Sequence, residues 1–158
     1  TDKAAPLGIQ ILDTRKTTPG LRIVEKWAVR IAGGTNHRFG LWDAILIKDN
    51  HIAIAGGVKQ AVERSRHVHP DKPIEVEVVS LDMLKEALSL KVERVMLDNM
   101  SPEQIRKAIE LVSGEAYIEV SGGIRLENLQ DYLIPGISGI SIGALTHSAK
   151  NIDISLEF

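Results

Sequence analysis

Cations, carboxylates and glycines recur in this sequence directly after short apolar runs, and their types limit the chemistry they can do. The run at 9–12 is followed by "DTRKTTPG", with Asp13, Arg15 and Lys16. The next runs end on Lys48, Glu77 and Asp98. The last two end in "SGGIR", with Ser121, Gly122 and Gly123, and in "GALTHS", with Gly143, Ala144 and His147. His37 and Arg38 lie in the long connection before Lys48 and extend the cationic set. Guanidinium grips a carboxylate bidentately, so Arg15, Lys16, His37, Arg38 and Lys48 suit a small substrate with two or more carboxylates. Glu77 and Asp98 can hold a metal, ribose hydroxyls or a developing cation. Glycines let backbone N–H groups approach an anion, and phosphate sites commonly follow the final strands of βα barrels. A polycarboxylate pocket, an acidic middle and a phosphate cradle together suit transfer of a phosphorylated sugar to an acidic small molecule.

Regular elements must carry these groups. Six β-rich runs fall at 9–13, 44–48, 74–79, 94–98, 116–121 and 139–143, with helical patterns at 20–33, 56–68, 80–90 and 101–112. In the first helix Leu21, Val24, Trp27, Ala28 and Ile31 share a stripe that reads as its core face. The fourth opens with Ser101 as N-cap, Pro102 as first helical residue and Glu103 in the first turn. Alternating strand and helix means a mainly parallel sheet in an α/β fold. Strands buried on both faces of an open sheet read as continuous apolar runs, yet here Ile74, Val76 and Val78 alternate with Glu75 and Glu77. Val95 and Leu97 alternate with Arg94, Met96 and Asp98, and Ile118 and Val120 with Tyr117, Glu119 and Ser121. A TIM-like βα barrel, irregular or incomplete at about six parallel strands and with a polar interior, explains this best. An open sheet with one wet face is the alternative. Inside a barrel, Glu75, Arg94 and Glu119 must pair to offset desolvation.

Composition narrows the classes. The 158 residues fit a single domain, 1–158, with a substantial core. Net charge is −2, so no global field favours nucleic acid or membrane and any anion site must be local. The lack of cysteine excludes disulfides, thiolate zinc sites and cysteine nucleophiles. No apolar run approaches the roughly 20 residues that span a bilayer, and no signal peptide opens the chain, so the cytoplasm is the expected compartment.

Taken in order, "DTRKTTPGLR", "GGTNHRFGLWDAILIKDNHI", "EVEV", "LDN", "SGGI" and "GALTHS" resemble the quinolinate phosphoribosyltransferase family, over residues 9–158. The family converts quinolinate and phosphoribosyl pyrophosphate to nicotinate mononucleotide, pyrophosphate and carbon dioxide with Mg2+, in NAD biosynthesis. The resemblance implies that Arg15, Lys16, His37, Arg38 and Lys48 form the pocket for the quinolinate carboxylates. Lys16 and Lys48 would also contact the donor, and Lys48, Glu77 and Asp98 would be catalytic. Glu77 and Asp98 would face ribose and Mg2+, with Asn99 orienting them. Ser121, Gly122, Gly123, Gly143, Ala144 and His147 would bind the 5-phosphate. It further implies a homodimer whose sites are completed by an N-terminal α/β domain, for which these 158 residues have no room. This is then the barrel domain alone, and a catalytically incomplete fragment is one alternative. A relative acting on nicotinate or another acidic heterocycle is the other.

Several residues read as structural. His67 and His69 look like a metal pair but sit at a polar helix end before Pro70, where solvated surface is expected. Asp49, Asn50 and His51 follow Lys48 and could extend the site, but suit a turn or cap at least as well. Trp27 is expected in the core, Trp42 at a pocket or interface, and Asp13 as a brace for Arg15 or a backbone amide.

Overall fold

A computed structural model describes residues 1–150 and 152–158. Strands β1 (Gln10–Leu12), β2 (Ile45–Ile47), β3 (Ile74–Val78), β4 (Arg94–Asp98), β5 (Tyr117–Ser121) and β6 (Gly139–Ser141) form one parallel sheet, ordered β1-β6-β5-β4-β3-β2. Between them run α1 (Arg22–Ile31), α2 (Asp49–Ala55), α3 (Val58–Val68), α4 (Leu81–Ser89), α5 (Pro102–Val112) and α6 (Leu129–Tyr132), and α7 (Ala144–His147) follows β6. The register explains the alternation in the sequence. Val76 pairs with Val95, Val95 with Ile118 and Val120 with Ile140, so the aliphatic face is continuous across strands. It packs under Val62, Leu84, Ala87, Ile105, Ala108 and Val112 of the helices, all fully buried. Glu75, Arg94 and Tyr117 are in register on the opposite face. No helix among the described residues is long and apolar enough to cross a membrane.

The sheet curls into an incomplete barrel with a seam. Its edge strands β1 and β2 are not paired with each other among the described residues. Instead Thr35 extends the edge of β1, donating from its N–H to Ile11 O (2.8 Å) and accepting from Asp13 N–H (3.2 Å). Arg38 Nη1 then donates to Ala44 O at 3.2 Å, fastening this connection beside β2. Across the interior, Tyr117 Oη donates to Gln10 Oε1 at 2.7 Å, linking β5 to β1 past β6. Only glycine fits between them, because a Cβ on Gly139 would lie 2.3 Å from Tyr117 Oη and 2.8 Å from Leu12 Cδ1.

Local signals set the starts of α4 and α5. Ser101 Oγ accepts from Gln104 N–H while Gln104 Oε1 accepts from Ser101 N–H, so the cap is reciprocal and Pro102 opens the helix. Ser80 caps α4 from one side, accepting from Met83 N–H. The short helices α2, α6 and α7 lie outside the four helical patterns read from the sequence, and α1 presents another face than expected. Asp49, Asn50 and His51 open α2, which fits their reading as cap residues, and His51 Nδ1 accepts from Lys48 N–H at 3.0 Å. In α1 the expected core stripe is turned outward: Val24 is 58%, Trp27 63% and Ile31 66% exposed, and Leu21 and Ala28 are exposed as well. The buried face instead carries Lys26 and Val29. Asp13, fully buried after β1, takes its cation from this face of α1 through Lys26, which favours that face inward.

Candidate active site

The C-terminal strand ends open into one cavity of about 710 Å3. Strand parity decides what enters it. Leu46 of β2, Glu77 of β3, Met96 and Asp98 of β4, and Glu119 and Ser121 of β5 share the interior face, and Lys48 continues the parity of β2. The cavity wall also includes Arg15 and Lys16 after β1, His37 and Arg38 from the seam, and Gly122, Gly123, Gly143, Ala144 and His147 after β5 and β6. Thus all the residues singled out from the sequence for catalysis or binding line the same space. His67 and His69 are exposed on α3 and lie outside it, and Trp42 is a 67% exposed residue that does not line it.

At the cationic wall, the loop from Asp13 to Lys16 is held from three sides. Arg22, first residue of α1, straps it: Nε donates to Thr17 Oγ1 (3.1 Å), Nη2 to Arg15 O (3.3 Å) and Nη1 to Phe39 O (3.3 Å). Thr146 of α7, buried, donates to Lys16 O at 2.7 Å. Asp13 accepts from Lys26 Nζ (2.5 Å), Asn36 Nδ2 (2.6 Å) and His37 N–H (2.8 Å), so it braces a backbone amide and Lys26 and not Arg15. The result is two half-buried guanidiniums side by side. Burial, then the nearby Arg15 charge, holds the Arg38 pKa below its ordinary value. Neither arginine has a carboxylate partner among the described residues, and the Nε of each is buried without a hydrogen bond. Like charges held together this way are stabilised when an anion sits between them. Lys48, by contrast, pairs with Glu77.

Beneath these groups lies a buried ionic floor. His37 Nε2 is 3.0 Å from Glu75 Oε2 and 3.1 Å from Glu119 Oε2. Arg94 Nη2 donates to Glu119 at 3.1 Å, and its Nε is 3.6 Å from Glu75. Arg94 also stacks over the Tyr117 ring, 4.0 Å from its centre, and Ser141 Oγ donates to Glu119. The pairing demanded of Glu75, Arg94 and Glu119 is therefore met, with His37 as an added cation. Burial alone would lower the His37 pKa, but its hydrogen bonds to Glu119 and Glu75 and their charges outweigh it and lift it to about 9. Burial likewise works against ionised Glu119, yet the His37 hydrogen bond and charge bring its pKa below the usual carboxylate value. Burial pushes the Tyr117 hydroxyl up to about 12, so it stays neutral. His37, Glu75 and Glu119 lie close enough to chelate a metal, but His37 and Arg94 already engage both acids, and burial lifts the Glu75 pKa above the usual carboxylate value.

The acidic and glycine walls interlock. Asn99 Nδ2 donates to Asp98 Oδ2 at 2.7 Å, and Asn99 N–H donates to Ser121 O at 2.9 Å. Gly122 follows with φ +103°, and a Cβ there would lie 2.7 Å from Asn99 N and 2.4 Å from Asn99 Oδ1. A left-handed glycine is required at this one turn, where β4 and β5 end against each other. The Glu77 and Asp98 oxygens facing an open cavity are the hard ligands Mg2+ takes together with phosphate oxygens. Thr14, Met96, Ile124 and Arg125 also line the cavity and were not singled out from the sequence. Arg125 was legible as the cation ending "SGGIR". Thr14 was legible within "DTRK", whereas Met96 required the strand register.

Residues 1–157 match the family described as quinolinate phosphoribosyl transferase, C-terminal domain. The chain is 47% identical over 150 residues to the probable nicotinate-nucleotide pyrophosphorylase [carboxylating] of Bacillus subtilis, covering 94% of this chain and 52% of that protein. With the protein of the same name from Methanothermobacter thermautotrophicus it shares 48% identity, covering 98% and 58%. The crystal structure of NadC from Streptococcus pyogenes superposes with TM-score 0.93 at 47% identity, over 99% of this chain and 55% of that one. The chain thus spans about half the length of the curated relatives it matches. Fold, cavity and matched residues agree: the chain belongs to the quinolinate phosphoribosyl transferase family, as its C-terminal domain.

Proposed function

We propose that this domain carries the catalytic wall of an enzyme joining quinolinate to phosphoribosyl pyrophosphate, giving nicotinate mononucleotide, pyrophosphate and carbon dioxide. The observation that supports it most is the guanidinium pair, Arg15 and Arg38, without a carboxylate partner among the described residues and lining one cavity with the glycine turn after β5. Quinolinate's adjacent carboxylates match two neighbouring cations, with Lys16 and His37 beside them. Backbone N–H groups at Gly122, Gly123, Gly143 and Ala144, with Ser121 and His147, receive the 5-phosphate of the donor. The pyridine nitrogen attacks C1 of the ribose and the C1–pyrophosphate bond breaks. Glu77 and Asp98 stabilise the oxocarbenium character that develops there. Lys48, held against Glu77, lies where it can neutralise charge on donor or acid. The ring then loses its 2-carboxylate as carbon dioxide, and a proton takes its place. Mg2+, held by Glu77 and Asp98, would offset the charge of the leaving pyrophosphate. A dimeric assembly and a cytoplasmic setting belong to the same proposal, the former supported by the outward apolar stripe of α1.

The test is turnover of quinolinate and donor with Mg2+, in this chain and in a polypeptide of the relatives' length carrying the same domain. Lys48→Ala and Glu77→Ala are expected to lower turnover by about 100-fold or more while the thermal midpoint moves little. Full activity in both variants would remove the assignment.

A further inference from the structure

The barrel floor has a property that the carboxylate pocket alone does not require. His37 lines the cavity, yet its Nε2 is turned away from the cationic wall onto two carboxylates at 3.0 and 3.1 Å. Its Nδ1 has no protein partner among the described residues and is not sealed from solvent. We infer that Glu119, seconded by Glu75, is a positioning residue that keeps His37 doubly protonated, with Nδ1–H presented to a substrate carboxylate. This rests on the quinolinate reading above.

The geometry carries it in three ways. Glu119 is fully buried and ordered from both ends, by Ser141 Oγ on Oε1 and by Arg94 Nη2 on Oε2. It therefore cannot swing away when His37 changes charge. The His37 main chain is pinned as well, by Asp13 on its N–H and Lys26 Nζ on its carbonyl at 3.1 Å. Among the charged groups around the ring, Asp13 and Lys26 satisfy each other and Arg94 is shared by the two acids. Arg38, next in sequence, adds like charge, and Tyr117 stays neutral below about pH 12. The net local field is thus set chiefly by Glu119, since burial lifts the Glu75 pKa above its ordinary value, and it favours imidazolium, in agreement with the elevated His37 pKa of about 9. A carboxylate then meets a cation at this point throughout the neutral range. An ordinary histidine, titrating near 6.5, would be mostly uncharged there.

The test is 15N-detected titration of ring-labelled histidines from pH 5.5 to 10, with His37→Gln identifying the signal, paired with calorimetric titration of quinolinate. In the unmodified chain both ring nitrogens of His37 are expected to stay protonated at pH 8, with a midpoint near 9. In Glu119→Gln the midpoint should fall by about one unit or more. Quinolinate affinity should then drop about threefold or more at pH 8.5 and recover at pH 6. A midpoint near 6.5 in the unmodified chain overturns the inference, and this measurement needs no variant to fold. So does an affinity loss in Glu119→Gln that is equal at every pH, which is what a merely structural role would give. A raised midpoint without quinolinate binding supports the positioning of His37 and overturns the substrate reading instead.

Discussion

Two groups of charge share the interior of this barrel and are treated in opposite ways. On the floor, Glu75 and Glu119 are buried, His37 and Arg94 are partly buried, and each faces an opposite charge within 3.6 Å. At the mouth, Arg15 and Arg38 are half-buried, adjacent and without a carboxylate partner among the described residues. Both regions contain arginine, but Glu75, Arg94 and Glu119 of the floor lie on alternating strand positions, whereas Arg15 and Arg38 lie in connections. The difference is what completes them: the floor is neutralised by the fold and the mouth by a ligand. Charge satisfied inside the protein thus marks architecture, while charge held together and left open marks a binding site.

That contrast can be broken from either end. The largest effect is expected on the floor, where Glu119→Ala leaves His37 and Arg94 facing an empty buried site. Removing one member of a buried pair costs about 3–5 kcal/mol, which urea unfolding would register. Acidity gives the next largest effect. Folded His37 keeps its proton up to about pH 9, whereas in the unfolded chain it releases it near 6.5. Its contribution is therefore complete below pH 6.5 and fades as pH rises to about 9, by on the order of 3 kcal/mol. Glu119 acts in the opposite sense: its lowered pKa adds stability above the usual carboxylate range, which is lost as acid titrates the folded group. Urea midpoints between pH 5 and 9 should trace this fall, and a flat alkaline limb would remove His37 from the floor.

At the mouth the prediction reverses. Arg38→Ala should weaken quinolinate binding about 10- to 100-fold while changing stability by less than about 1 kcal/mol, since it also removes a like-charge contact. Equal losses in affinity and stability would erase the distinction between the two regions. The smallest effect sharpens it from outside. Ser101→Ala removes the reciprocal cap of α5, remote from both charge groups, and should cost about 1 kcal/mol with ligand affinity unchanged.

Much of this arrangement was legible before folding because parity is local. Alternation in "IEVEV" and "RVMLD" placed Glu77 and Asp98 on the interior face, and the register kept them there. The capping box at Ser101 is equally local. The misread face of α1 shows where such reading ends. Its periodic stripe through Val24, Trp27 and Ile31 is real, but hydrophobicity alone assigned it to the core. A distant carboxylate, Asp13, claims Lys26 for the interior, which favours the stripe facing outward. His37 was placed among the site cations, yet its anchors Glu75 and Glu119 come from two separate strands. Those contacts exist only once the sheet has curled. Helix α2 was missed because its cap is a histidine ring at His51, outside the usual serine, threonine or aspartate signal.

The central claim is that the open cations at the mouth are completed by a two-carboxylate ligand, and calorimetry tests it directly. Quinolinate and nicotinate would each be titrated, with donor and Mg2+ present, into the chain and into an Arg15→Ala, Arg38→Ala double variant. Quinolinate is expected to bind at least about tenfold more tightly than nicotinate, and the double variant to lose that preference. Equal affinity for the two acids, or quinolinate binding untouched by the double substitution, would contradict the account.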